Sequence, residues 1–511
     1  MLRIVTVENG DIQGLPAADP RITSFKGIPF AAPPVGQNRW RAPQPAQNWE
    51  GVRQAYAFSP IPLQVKQEID ENNIYSREWA VEPDIAMDED CLYLNVWTPA
   101  NRTDELLPVY VWYFGGGLQV GHTAEMEFDG ERIARRGIIV VTVNYRLNAF
   151  GFLSHPELTA EAPEAPANFG YLDQQAATRW VKRNIAAFGG DPDNITIGGQ
   201  SAGGLSVLCQ LTSPQNEGLF HKAIIQSGLF TSLYPTTPAL PHLDLAAAEQ
   251  QGVQFFEYLG VRSLEEARQL DAISLRDKIV AYGAFWGTVL DQQFNVGNPF
   301  DLFVQNKRWK VPVMSGHTSS EFITAPHAQT LDELEKMATD LFGEDAATFL
   351  DLCDAQTSSL EESQKKAAVN GIEYAIRVAA EANDQADGNP PFYYYNFDAE
   401  IPGWDNPGTF HSVDLWFFFE TLAKCWRPFV GKHYDLARQM CNYWCHFIQT
   451  GDPNGADANG QALPRWEPIT TAAPYGMLFQ DQPEFVREAP DKLMAFLVEQ
   501  ASKKQEGRVM V

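Results

Sequence analysis

The stretch Phe188–Gly204, FGGDPDNITIGGQSAGG, constrains this chain more than any other. Asn194–Gly198 reads as a short buried strand following a turn, and Ser201 falls in a sharp turn between Gly199 and Gly203. A helix is expected to begin right after it, at Gly203-Gly204-Leu205. In the pattern G-x-S-x-G, a serine at a strand-to-helix junction sits in strained backbone, and its small neighbours let the turn close. The hydroxyl is then held out into a cleft, and the helix N-terminus behind it offers unpaired N–H groups to a developing negative charge. Taken alone, the pattern also fits a Gly-rich turn with an incidental serine.

The flanking chain supplies the alternation such a junction needs. Leu107–Phe114 is a buried-strand run ending in Gly115-Gly116-Gly117, and Gly137–Arg146 carries a strand rich in β-branched residues. Asn168–Ile185 reads as an amphipathic helix leading into the serine turn, and Lys222–Gly228 as a further short parallel strand. Strand and helix thus alternate over residues 107–230, which indicates one doubly wound, mostly parallel α/β sheet with helices on both faces. No linker divides it, so residues 1–511 are expected to form a single domain. Segments at about 240–285 and 330–385, rich in Ala, Leu and Glu, read as helical insertions over the cleft. Residues 3–14 and 21–30 look like an antiparallel hairpin, followed by a Pro-rich strap to Gly36.

The longer string Phe188-Gly189-Gly190, Ile195-x-Ile197-x-Gly199-x-Ser201-Ala202-Gly203 resembles the active-site signature of the type-B carboxylesterases, the cholinesterase-like branch of the α/β-hydrolases. Glu89–Pro99, with Cys91, is similar to that family's second signature, and similar blocks recur to about residue 480. The resemblance, which extends to bacterial para-nitrobenzyl-esterase-like enzymes, implies the α/β-hydrolase fold and a serine ester hydrolase. A serine hydroxyl needs an imidazole to take its proton, and the imidazole a carboxylate to orient it, in the chain order Ser, acid, His. By that resemblance Ser201 is the nucleophile. Glu321, in Gly316-His317-Thr318-Ser319-Ser320-Glu321-Phe322, is the acid, and His411, in Gly408–Leu415, is the base. The family's oxyanion hole maps onto Gly116, Gly117 and Ala202. An ordinary helix N-cap is the other reading of Ser319-Ser320-Glu321. Of nine histidines, only His411 lies downstream of the acid in a Gly-flanked loop before a helix, whereas His433 and His446 sit in helical patterns.

Departures from the family are equally specific. Relatives commonly carry Glu before the serine; Gln200 here implies a weaker preference for cationic substrates and an altered hydrogen-bond network with Ser227. Phe114 stands where many relatives have His or Tyr. The family's loop disulfide is not expected, because Pro62 occupies the place of the upstream partner of Cys91. The polar segment Gln64–Asp88 that replaces that loop contains Trp79, for which simple packing is expected rather than a place at the cleft mouth. Phe285, Trp286, Trp416, Phe417, Phe418 and Phe419 are candidates for an apolar pocket wall.

Composition excludes other classes. Net charge −27 and pI ≈ 4.7 speak against nucleic acid and anionic membrane surfaces. No window approaches the ~18 apolar residues of a membrane span. The six scattered cysteines suggest neither zinc nor a disulfide framework. The first residues lack the apolar core of a signal peptide, which suggests the cytoplasm or removal of a leader. The expected activity is hydrolysis of soluble short-chain or aryl esters through an acyl-enzyme, with a small-molecule ester as partner, no cofactor and no metal. A homo-oligomer is not indicated. Alternatives within the family are a feruloyl or hydroxycinnamoyl esterase or a lipase; from a different class, a catalytically inactive cholinesterase-like binding module.

Overall fold

The computed structural model describes residues 1–79, 82, 84–234 and 242–509, so positions 240 and 241 of the first expected insertion lie outside the described residues. Val109–Val111, Ile139–Val141 and Ala223–Ile225 are fully buried runs with no polar face to offer water. Such runs belong inside a sheet covered on both sides. They form the middle of an eleven-stranded sheet, counted among the described residues. From one edge the strands run Pro483–Val486, Gly476–Phe479, Phe392–Phe397, Val313–Thr318, Lys222–Gln226, Gly190–Gln200 and Leu107–Tyr113. The order continues through Ile139–Val143, Tyr93–Thr98, Thr23–Pro29 and Leu15–Pro16. The seven from Gly476–Phe479 to Ile139–Val143 are mutually parallel, and antiparallel strands close both edges.

Helices Phe169–Asn184, Ala202–Thr212, Gly371–Gln385 and Gly431–Thr450 cover the sheet. The first insertion is helical at Leu245–Leu259, Leu264–Arg268 and Ala272–Tyr282, and the second at Leu331–Phe342, Ala346–Leu352, Leu360–Lys366 and Gly371–Gln385.

Two expectations change. The N-terminal hairpin is not 3–14 against 21–30: Ile4–Val7 folds back on Gly10–Gln13, and Thr23–Pro29 instead pairs with Tyr93–Thr98 in the main sheet. The tight turn at Glu8-Asn9, with Gly10 following at φ 143°, closes the hairpin within the first segment. Trp286 and Trp416–Phe419 are at most 1% exposed, and the run Trp416–Phe419 is core. Phe418 and Phe419 pack on Trp112 at 5.9 and 5.1 Å between ring centroids, beneath the sheet rather than in a pocket.

Candidate active site

The strand carrying the serine runs further than its sequence suggests, over Gly190–Gln200, and the helix begins at Ala202 rather than Gly203. Ser201 is the single residue between them, at φ 56°, ψ −124°, a region non-glycine residues avoid. Its N–H donates to Gln226 O at 2.9 Å and its carbonyl accepts from Leu205 N–H at 2.9 Å, so both sides hold the strain in place. Gly203 is required by the crossing behind the turn: a Cβ there would lie 2.1 Å from the Tyr113 carbonyl oxygen.

All the expected site residues follow C-terminal ends of parallel strands, where an α/β sheet opens its crevice. The glycine loop follows Leu107–Tyr113, Glu321 follows Val313–Thr318, and His411 lies on the connection after Phe392–Phe397. Ser201, Ala202, Gly115, Gly116, Gly117 and His411 line one cavity of about 740 Å³. Glu321 sits behind it with a fully buried side chain and contacts His411 Nδ1 through Oε2. Its Oε1 accepts from Ser227 Oγ at 2.6 Å and from the Thr318 N–H at 2.8 Å. Burial pushes this carboxyl up, but His411, Ser227 and His317 outweigh it and hold it below its ordinary value. Glu321 is thus a fixed carboxylate rather than a helix cap. Phe322 stands edge-to-face on the His411 ring at 4.9 Å, a buttress the sequence did not announce.

The far ring nitrogen is occupied in an unexpected way. Gln200 Nε2 donates to His411 Nε2 at 3.3 Å, and the Ser201 hydroxyl makes no hydrogen bond to the ring. With Nδ1 facing the carboxylate, Nε2 is the lone-pair nitrogen, and the amide of the neighbouring residue engages it. Gln200 makes no hydrogen bond to Ser227, whose hydroxyl donates to Glu321 instead.

Gly116 adopts φ 110° and a Cβ there would meet Val120 O at 2.1 Å, so only glycine makes this bend. The N–H groups of Gly116, Gly117 and Ala202 have no acceptor among the described residues. Gln64 clamps the far side of the loop, donating to Gly121 O at 3.0 Å and accepting from Gly121 N–H at 2.9 Å. Phe114 replaces a polar contact by stacking on Tyr145 at 4.3 Å, while Tyr145 Oη donates to the Phe114 carbonyl at 2.6 Å.

The segment at 64–88 does more than border the site. Val65, Lys66, Glu68, Tyr75 and Trp79 line the cavity, whereas the first insertion reaches it at Phe285. Trp79 is therefore a wall residue, against expectation, stacked on Tyr75 at 5.7 Å and close to Phe410 at 6.2 Å. Cys91 is free and buried. Ion pairs hold the segment instead: Arg77 to Asp405 at 2.6 Å, Arg427 to Asp405 at 3.0 Å and Arg427 to Glu78 at 2.6 Å. The alternation of charges along Arg77-Glu78 was visible in sequence, but their partners are more than 300 positions away.

Residues 2–496 match the family model described as the carboxylesterase family. The fumonisin B1 esterase of Sphingopyxis macrogoltabida is 31% identical over 472 residues, 88% of this chain and 82% of that protein. The para-nitrobenzyl esterase of Bacillus subtilis is 31% identical over 473 residues, covering 90% and 92% of the two chains. A solved structure of a PNB esterase superposes with TM-score 0.77 at 26% identity, over 98% of this chain and 99% of that one.

Proposed function

This chain belongs to the carboxylesterase family and hydrolyses carboxylic esters, and we propose that it does so through an acyl-enzyme on Ser201, with soluble short-chain or aryl esters as substrates. The observation that carries the reading is the contact from buried Glu321 to His411, which ends at the cavity that holds Ser201. A carboxylate on Nδ1 keeps the lone pair on Nε2, the nitrogen nearest the serine turn.

On this reading the Ser201 hydroxyl rotates onto Nε2 as the Gln200 amide releases it. Ser201 Oγ attacks the ester carbonyl and its proton passes to His411, whose new charge Glu321 stabilises. The carbonyl oxygen becomes an oxyanion facing the N–H groups of Gly116, Gly117 and Ala202; such donors are typically worth ~3–4 kcal/mol each in the barrier. His411 then protonates the leaving alcohol, and water enters by the reverse sequence to release the acid. The cavity is assembled from segments between residues 65 and 415, so the chain acts as one domain. Six unpaired thiols favour a reducing, cytoplasmic setting. Among the described residues, no helix is long and apolar enough to cross a membrane.

A fluorophosphonate probe tests the assignment: one adduct on Ser201, lost in Ser201→Ala, is expected. Failure of the folded protein to react would remove the catalytic reading in favour of a binding module. A lipase reading draws on Ile69 and Tyr75, exposed on the segment beside the cavity. Aryl acetate against emulsified triglyceride separates the two, with a jump in rate at the emulsion interface deciding for the lipase.

A further inference from the structure

Cys441 and Cys445 lie one turn apart on the helix Gly431–Thr450, and their sulfurs are 3.9 Å from each other. Theirs is the sulfur–sulfur contact among the described cysteines. Residues four apart on a helix stand about 6 Å apart at Cα, inside the span that a disulfide bridges. The helix is held around the pair. Trp444 Nε1 donates to Gln226 Oε1 at 3.4 Å, and Gln449 Nε2 donates to the Arg136 carbonyl at 3.0 Å.

A cation and a route from solvent complete the arrangement. Arg136 donates through Nε to Asn442 Oδ1 at 2.7 Å, one residue past Cys441, and pairs with Glu420 at 2.8 Å. Burial pushes both thiols up, and Cys445 stays well above its ordinary value, keeping its proton. At Cys441 the hydrogen bond from Cys445 and the charge of Arg136 outweigh burial and hold the thiol below its ordinary value. The other four go the opposite way: burial pushes Cys91 well above the thiol range, and Cys209, Cys353 and Cys425 up to about 12. Cys445 stands in the wall of a cavity of about 880 Å³ that shares no lining residue with the one holding Ser201. Arg132, Arg135, Arg136 and Arg438 line it too. A thiol beside arginine and within reach of solvent is the kind that oxidants select.

We propose that Cys441 and Cys445 form a modification site, a dithiol that a hydroperoxide entering this second cavity closes reversibly to a disulfide. The site is independent of the ester chemistry at Ser201. Once the pair has ionised, its remaining proton is shared, so Cys445 attacks the peroxide as thiolate while Cys441 holds the proton. The O–O bond breaks as the S–O bond forms. With hydrogen peroxide this leaves a sulfenic acid on Cys445 and a hydroxide, which takes up the proton the pair released. The Cys441 sulfur then displaces the sulfenic oxygen, and its proton leaves with that oxygen as water. Two electrons have passed from the sulfurs to the peroxide, and a dithiol reductant returns them.

Hydrogen peroxide added to the folded protein tests the site. At a dose that leaves Cys91, Cys209, Cys353 and Cys425 reduced, thiols counted after unfolding should fall by two from six and return with dithiothreitol. The tryptic peptide 439–465, which contains both cysteines, should lose two hydrogens in mass and take no alkylating agent until reduced. In Cys441→Ser, oxidation should stop at a sulfenic acid on Cys445 that dimedone traps, and Cys445→Ser should lose no thiol at that dose. Should a serine variant not fold, the peptide mass of the unmodified protein decides. Alkylation of both cysteines after a dose that oxidises free glutathione overturns the proposal, as does earlier loss of any of the other four thiols. Sulfinic acid on either cysteine with no disulfide formed overturns it equally.

Discussion

Asp414→Asn is expected to stabilise this protein near neutral pH while disturbing the site it adjoins. Asp414 is fully buried three positions after His411. Its Oδ2 accepts from Tyr395 Oη at 3.0 Å and from Gln226 Nε2 at 3.2 Å, and its Oδ1 has no partner. Burial, then the facing Glu321 carboxylate, raise the carboxyl from 3.8 to about 6, against the pull of those two hydrogen bonds and of His411. A group whose folded value is raised binds its proton more tightly when folded, so stability falls as pH rises between about 4 and 6. Above that window the folded state carries a cost of about 3 kcal/mol for holding the charge. An asparagine keeps the acceptor for Tyr395 and Gln226, replaces one unpaired atom by another, and carries no charge. Unfolding entropy of ~2.1 cal/mol/K per residue converts about 3 kcal/mol into a rise of about 3 °C in Tm for a chain this long.

Scanning calorimetry of both proteins from about pH 4.5 to pH 8 reads the effect. The gain in Tm should be about 1 °C at the acid end and reach its full size by about pH 7. A gain independent of pH, or a loss of Tm at pH 8, would refute the argument that the buried charge is the cost. Activity should fall in the same variant, because Asp414 contributes negative charge beside the imidazolium that forms in the transition state.

Three further outcomes follow from the site. Glu321→Gln should lower kcat by about 10³–10⁴-fold in an ester assay while fluorophosphonate labelling slows in parallel. The carboxyl is held below its ordinary value of 4.5, so the unmodified protein keeps this carboxylate, and the stability it contributes, until pH falls below that range. Gln200→Glu places a carboxylate on His411 Nε2 in place of an amide, and the acid limb of the pH–rate profile should move to higher pH; an unchanged limb would mean that the 3.3 Å contact does not persist in solution. Gly116→Ala forces a Cβ against Val120 O, and kcat should drop by about 10²-fold or more, with KM less affected, as one of the proposed oxyanion donors is displaced.

The serine turn, the glycine loop and the short motifs around Ser201, Glu321 and His411 were legible in the sequence because each is local. Each is a strand of β-branched residues or a glycine-flanked turn whose chemistry is written within about ten positions. That helices fill the segments at about 240–285 and 330–385 was legible for the same reason, from composition sustained over several turns. The polar walls were not. Trp79, in a polar segment, lines the cavity and Trp416, in an apolar run, does not, because which face a side chain presents depends on elements hundreds of residues away. The ion pairs that tie Arg77 and Glu78 to Asp405 and Arg427, and the amide that Gln200 lends to His411, are likewise decided by tertiary structure. A sequence can state which groups are available for chemistry. Which of them lose their water and their counter-ions is settled when the chain closes around them.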